Sequence, residues 1–124
     1  MDSICQKNVN VTVDRLGRVN IFLSLKEKFN IVEKEKFEIY TENGNIVLKV
    51  IDKDEINNIV EEKICYNGNC ILNVKKLNGH YVRCVDELLR IVLPIELRDE
   101  LDIKENDKLV EYGENANKIV LQKA

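Results

Sequence analysis

Over most of its length the chain alternates apolar and polar residues with period two, the pattern of half-buried β-strands. Val9, Val11 and Val13 alternate with Asn10 and Thr12, and Tyr81 to Val85 repeats the pattern further on. Short apolar runs, Val19 to Leu23 and Ile91 to Leu93, read as buried strands. Phe37 to Thr41 with Ile46 to Val50, and Leu109 to Tyr112 with Ile119 to Leu121, read as two hairpins. Their turns fall at Glu42-Asn43-Gly44-Asn45 and at Glu114 to Lys118. Leu25/Phe29 and Leu97/Leu101 form i,i+4 pairs, each marking one to two helical turns. The first stretch has Ser24 with Glu27 as a capping box; the second has Pro94, which suits the first helical position because its missing N–H costs nothing there. The pattern predicts a mainly β fold with short helices.

These elements recur in the same order. VDRLGRVNIFLSLKEKFNIVEKEKFEIYTENGNIVLK, starting at Val13, aligns with VDELLRIVLPIELRDELDIKENDKLVEYGENANKIVLQ, starting at Val85, with one inserted residue near Lys118 and about fifteen identities. Asp14, Leu16 and Arg18 align with Asp86, Leu88 and Arg90, and tight turns are expected at Asp14 to Gly17 and at Asp86 to Leu89. The match reads as a duplication. A unit of about forty residues in short strands buries too little apolar surface to fold alone. Each copy therefore needs a partner copy, in the same chain or in a second one. The expected organisation is a first repeat at 1–51, a connector at 52–79 and a second repeat at 80–124.

The connector reads as a polar helix from Asp54 to Lys63 followed by a hairpin around Asn67-Gly68, the favoured pair for a type I′ turn; Asn78-Gly79 is a further turn. Such a hairpin would set Cys65 against Cys70 on neighbouring strands. Reduced half-buried thiols, a redox or disulfide pair, and zinc are the alternatives. A reducing cytosol opposes the disulfide, and Cys5, Cys84 and His80 lie at no recognisable zinc-ligand spacing from the pair.

Composition narrows the field. With 124 residues the chain makes one ordinary domain or two very small ones, and with no Trp, three Phe and four Tyr its core must rest on Ile, Val and Leu. No apolar run approaches the ~20 residues of a membrane span, and Met1 to Gln6 has neither a basic nor an apolar stretch, so a cytoplasmic protein is expected. There is one His, and no nucleophile–His–acid set, phosphate loop or metal-ligand spacing, so no enzyme activity and no cofactor are expected. The formal charge is −3 and is unevenly placed. Residues 13–50 carry seven basic and six acidic residues, whereas 83–124 carry seven and ten, half of the acids falling in and after the short helix at Asp99, Glu100, Asp102, Glu105 and Asp107.

The run Arg83-Cys84-Val85-Asp86-Glu87-Leu88-Leu89-Arg90-Ile91-Val92-Leu93-Pro94-Ile95-Glu96-Leu97-Arg98, continuing through Leu101-Asp102-Ile103, resembles the AbrB/MazE/SpoVT family of small bacterial DNA-binding domains; Asp14-Arg15-Leu16-Gly17-Arg18 resembles it more loosely. The resemblance implies a swapped-hairpin β-barrel of two interleaved units, here an intrachain pseudo-dimer or an interchain dimer. It implies a transcriptional regulator or an antitoxin, touching duplex DNA through arginines on one barrel face. The positions carried over are Arg83, Arg90 and Arg98, with Arg18 and Lys26 matching the last two in the first copy. Val11 stands where Arg83 would be matched, Asp99 and Glu27 where a second basic residue is frequent, and Leu89 where the turn glycine is expected. If that turn needs positive φ, Leu89 costs on the order of 1–2 kcal/mol or imposes another geometry.

An arginine fork can grip a phosphate or a guanine edge through two hydrogen bonds. The alternative is that Arg18 and Arg90 pair with Asp14 and Asp86 and only brace the turns. Tyr40 and Tyr112, at aligned strand positions, suit packing better than base stacking. A protein-interaction module, binding a toxin or another AbrB-type regulator, is the alternative to the DNA-binding function.

Overall fold

The computed structural model describes residues 9–21, 35–66, 69–115 and 118–124. The elements are β1 (Val9–Thr12), β2 (Arg18–Asn20), β3 (Lys36–Glu42), β4 (Asn45–Val50), a 3-10 turn (Ile56–Asn58), β5 (Val60–Tyr66), β6 (Asn69–Leu77), β7 (His80–Cys84), β8 (Arg90–Val92), α1 (Ile95–Glu100), β9 (Lys108–Asn115) and β10 (Lys118–Lys123). The fold is mainly β with short helices, as the alternating pattern predicts. Eight strands form one antiparallel sheet in the order β1-β9-β10-β4-β3-β7-β6-β5, and β2 and β8 form a separate ribbon.

The pairing alternates between the two halves of the chain. Hairpins β3–β4 and β9–β10 are local, but β1 pairs with β9, β10 with β4, β3 with β7, and β2 with β8. Loop hydrogen bonds follow the same exchange. Val13 N donates to Asp107 O and Val85 N to Glu35 O, both at 2.9 Å. The shortage of apolar surface in either half is thus met within one chain. The principal core joins Val13, Val19, Ile21, Phe37, Ile39, Ile46 and Leu48 from one half with Val85, Ile91, Leu93, Leu109, Ile119 and Leu121 from the other. Their alternation along each strand places them between the large sheet and the ribbon.

Asn43 and Gly44 both have positive φ (55° and 78°), as do Asn78 and Gly79 (53° and 81°), the backbone that two-residue type I′ hairpins require. Leu97 in α1 is buried and Leu101 at its C-cap packs against the core, while Pro94 stands at the N-cap, one residue before the expected first helical position. The helix expected around Leu25 and Phe29 lies outside the described residues.

The connector departs from expectation. In place of a polar helix from Asp54 to Lys63 there is the single 3-10 turn, and β5 begins at Val60. Asn57 and Asn58 are weak helix formers, whereas the backbone from Val60 onward finds a full ladder of partners on β6. Ile59 instead packs on a second cluster of Ile51, Leu77 and Val82, on the side of β6 and β7 away from the principal core. The β5–β6 register sets Cys65 opposite Cys70 and Tyr66 opposite Asn69, while Asn67-Gly68 lies outside the described residues. Glu38 is buried on this outer side, hydrogen-bonded to His80, whose ring stacks on Tyr40 at 4.5 Å.

Val19 and Ile91 face each other in the ribbon and are 1% and 0% exposed. Ile91→Ala is expected to cost about 2–4 kcal/mol, read by denaturant unfolding, because the cavity opens where the two layers meet. Ile56→Ala, on the exposed 3-10 turn, should change stability by less than about 0.5 kcal/mol.

Candidate nucleic-acid interface

The ribbon has two faces because side chains alternate along a strand. Val19 and Ile91 point into the core, so Arg18, Asn20, Arg90 and Val92 lie on the other face. Arg18 stands opposite Val92 and Asn20 opposite Arg90. The two arginines are therefore diagonal neighbours, roughly 7–8 Å apart along the backbone lattice.

Each arginine follows a turn built by an aspartate. Asp14 Oδ1 accepts the backbone N–H of Leu16 (2.9 Å) and of Arg18 (2.8 Å), and Oδ2 accepts Arg18 Nε–H (2.7 Å). Asp86 repeats the set with Leu88 N (2.9 Å), Arg90 N (2.8 Å) and Arg90 Nε (2.9 Å). Gly17 N and Leu89 N close the turns onto Asp14 O (3.0 Å) and Asp86 O (2.9 Å). Partial desolvation pushes both carboxyls upward, but the hydrogen bonds from the arginine and leucine N–H groups, with the guanidinium charge, outweigh it. Both aspartates are held below the usual carboxylate value. The bracing reading of Arg18 and Arg90 is therefore realised in the geometry, but through Nε alone. Among the described residues nothing else engages these guanidinium groups, and none of those residues holds their terminal nitrogens.

The third carried-over arginine joins the two turns. Arg98, in the last turn of α1, donates from Nε to Leu93 O at 2.9 Å, while Leu93 N donates to Gly17 O at 2.9 Å. Its guanidinium lies against Gly17, where a Cβ would stand only 2.4 Å from Cζ. Gly17 (φ 77°) is thus required both by its backbone and by its neighbour. At the aligned position Leu89 takes the same left-handed conformation (φ 59°), and its half-buried side chain packs on the core. The strain of about 1–2 kcal/mol is offset by apolar burial of similar size. Ile21 N donates to Leu89 O at 2.9 Å, matching the bond from Leu93 to Gly17.

Arg83 is placed differently, on β7 of the large sheet. Its guanidinium lies 5.6 Å from the Tyr81 ring centre and Nη1 donates to Val82 O at 3.2 Å. Partial burial pulls its pKa down against the charges of Glu96 and Tyr81, which favour the protonated form. Desolvation, then the Glu96 carboxylate through charge and a hydrogen bond, pushes Tyr81 upward. Lys26 lies outside the described residues. Two residues not selected from sequence stand beside the ribbon arginines: Arg15, exposed in the first turn, and Asn20 on the outward face. Arg15 aligns with Glu87 and Asn20 with Val92, so comparison of the two stretches hides both; strand alternation from Arg18 would have found Asn20. No group of three or more His, Cys, Asp or Glu among the described residues could hold a metal ion, and no described helix is long and apolar enough to cross a membrane.

Two outcomes test this arrangement. Gly17→Ala should destabilise more than Gly44→Ala, whose Cβ would meet nothing within 4 Å, and the excess of about 1 kcal/mol should vanish in an Arg98→Ala background. Asp14→Ala and Asp86→Ala should each cost about 1–2 kcal/mol at pH 7. Because the folded-state pKa lies below the ordinary 3.8, that contribution is complete at neutral pH and fades as pH falls through the folded value. Urea unfolding of wild type and variants should therefore converge in strongly acidic buffer.

Residues 82–124 match the model of a family described as "Antidote-toxin recognition MazE, bacterial antitoxin". No curated protein matches the chain. Among solved structures, the solution structure of PHS018 from Pyrococcus horikoshii is similar at 18% identity and TM-score 0.46, covering 94% of this chain and 88% of that one. The stretch from β7 to the C-terminal residue, which contains the second aspartate turn, Arg90 and Arg98, is thus similar to the MazE antitoxins.

Proposed function

We propose that the chain is a DNA-binding transcriptional regulator of AbrB type, built from two copies of one unit (1–51 and 80–124) joined by 52–79 and forming a pseudo-dimeric, barrel-like body. The observation that carries the DNA reading is the outward face of the β2–β8 ribbon. Two diagonal arginines stand there, each oriented by an aspartate at Nε and each keeping its terminal nitrogens for a phosphate or base edge. A two-stranded ribbon is narrow enough to enter a major groove. Arg15 adds charge at one end. Arg98 orders the first turn through its contact with Gly17, and Arg83 adds a further basic group on β7. The match of 82–124 to MazE antitoxins supports a regulator or antitoxin-like module in general.

A second reading follows from that family's description: the same surface recognises a protein partner such as a toxin. Hairpin exchange with another regulator of this type is the costlier version of it, because the β4–β10 and β3–β7 pairs already formed within the chain would have to open.

A mixed-sequence duplex titrated over a salt series separates the two. With three to four phosphate contacts, log affinity should fall against log salt with a slope of about −3 to −4. The Arg18→Ala/Arg90→Ala double variant should weaken binding to all sequences and make the slope shallower by about two. Absence of binding at low salt, with co-purification of a protein partner, would establish the second reading.

A further inference from the structure

Leu88 and Leu16 are the most exposed large hydrophobic side chains among the described residues, at 60% and 57%. Neither is a loose residue on a floppy loop. Each occupies the third position of an aspartate turn, its own N–H held by the aspartate at 2.9 Å and the next residue locked at positive φ. The fold therefore spends two side-chain hydrogen bonds and a left-handed residue at each turn to hold a leucine out in water. Single exposed leucines are ordinary. Two at aligned positions, at opposite ends of one ribbon and each two residues before a ribbon arginine, call for a common purpose. Val92, 39% exposed, continues the apolar character across the ribbon between them.

We propose that Leu16 and Leu88 are apolar contacts to duplex DNA, packing on sugar and base edges at either end of the arginine-bearing strip. This rests on the DNA-binding reading of the same face. The charge of Arg15, Arg18 and Arg90 beside them selects a polyanion as the occupant, and a duplex offers apolar sugar faces, thymine methyl groups and base steps within reach of its phosphates. The arginines supply the salt-dependent attraction. The leucines add a salt-independent contribution that a protein bound by charge alone lacks. They also serve where the halves differ in charge, since Leu88 sits beside Glu87 while Leu16 sits beside Arg15.

The test uses the full chain, a labelled 20-base-pair mixed-sequence duplex and a salt series, with Leu16→Ala/Leu88→Ala compared with wild type and with Ile56→Ala, an exposed apolar residue on the connector (41% exposed). The leucine variant should keep its thermal midpoint within about 2 °C, since it removes no buried contact. Its affinity should fall about tenfold or more, with the slope of log affinity against log salt unchanged, and Ile56→Ala should bind as wild type. Affinity within twofold of wild type would overturn the leucine contact while leaving the arginine interface standing. A loss shared equally by Ile56→Ala would overturn it too, as would unchanged duplex binding accompanied by loss of a co-purifying protein. Failure of wild type to bind at any salt would instead overturn the DNA reading, and this inference with it.

Discussion

The pairing of three residues with three, Arg18–Asn20 with Arg90–Val92, is the constraint on which the rest of this structure depends. It is one of four pairings that join the two halves, and in it Val19 and Ile91 meet and close the core opposite the large sheet. It also decides what faces outward. With Val19 and Ile91 committed to the interior, strand alternation leaves Arg18, Asn20, Arg90 and Val92 no other face. Core formation and arginine display are thus one event, and a register slip of one residue would bury the arginines and expose the hydrophobic pair.

The turns that lead into the ribbon explain how so short a pairing persists. Each aspartate satisfies two backbone N–H groups and an arginine Nε, so both strands enter the ribbon with their geometry already set. The cross-bonds Leu93 N to Gly17 O and Ile21 N to Leu89 O then tie each strand's exit to the other strand's turn. The two ends are equivalent in hydrogen bonding but not in filling. At one, a glycine leaves room for Arg98; at the other, a leucine adopts the same strained φ and packs on the core. The two turns thus differ in side chains while following one backbone path.

Much of this was legible in the residues. The alternation at Val9 to Val13, the paired hairpins and the Asn-Gly turns at 43–44 and 78–79 follow from strand period and from the few residues that tolerate positive φ. Arg18 and Arg90 are open to two readings, phosphate contact and turn bracing, and among the described residues each engages its aspartate through Nε. What could not be read was decided at a distance. The segment from Asp54 to Lys63 reads locally as a polar helix, yet the ladder offered by β6 and the cluster of Ile51, Leu77 and Val82 draw it into a 3-10 turn and a strand.

By itself the sequence determined the kinds of elements, their order and their doubled pattern, because side-chain periodicity, turn chemistry and the small size of each unit act locally or through simple sums of area. Only the tertiary structure decided which strand each strand pairs with, that strands of the two halves alternate across the sheet, and that the Arg98 guanidinium lies against Gly17 of the first turn. Strand partners and the neighbours of a glycine are set by which faces can be buried together at once, and that is a property of the assembled core.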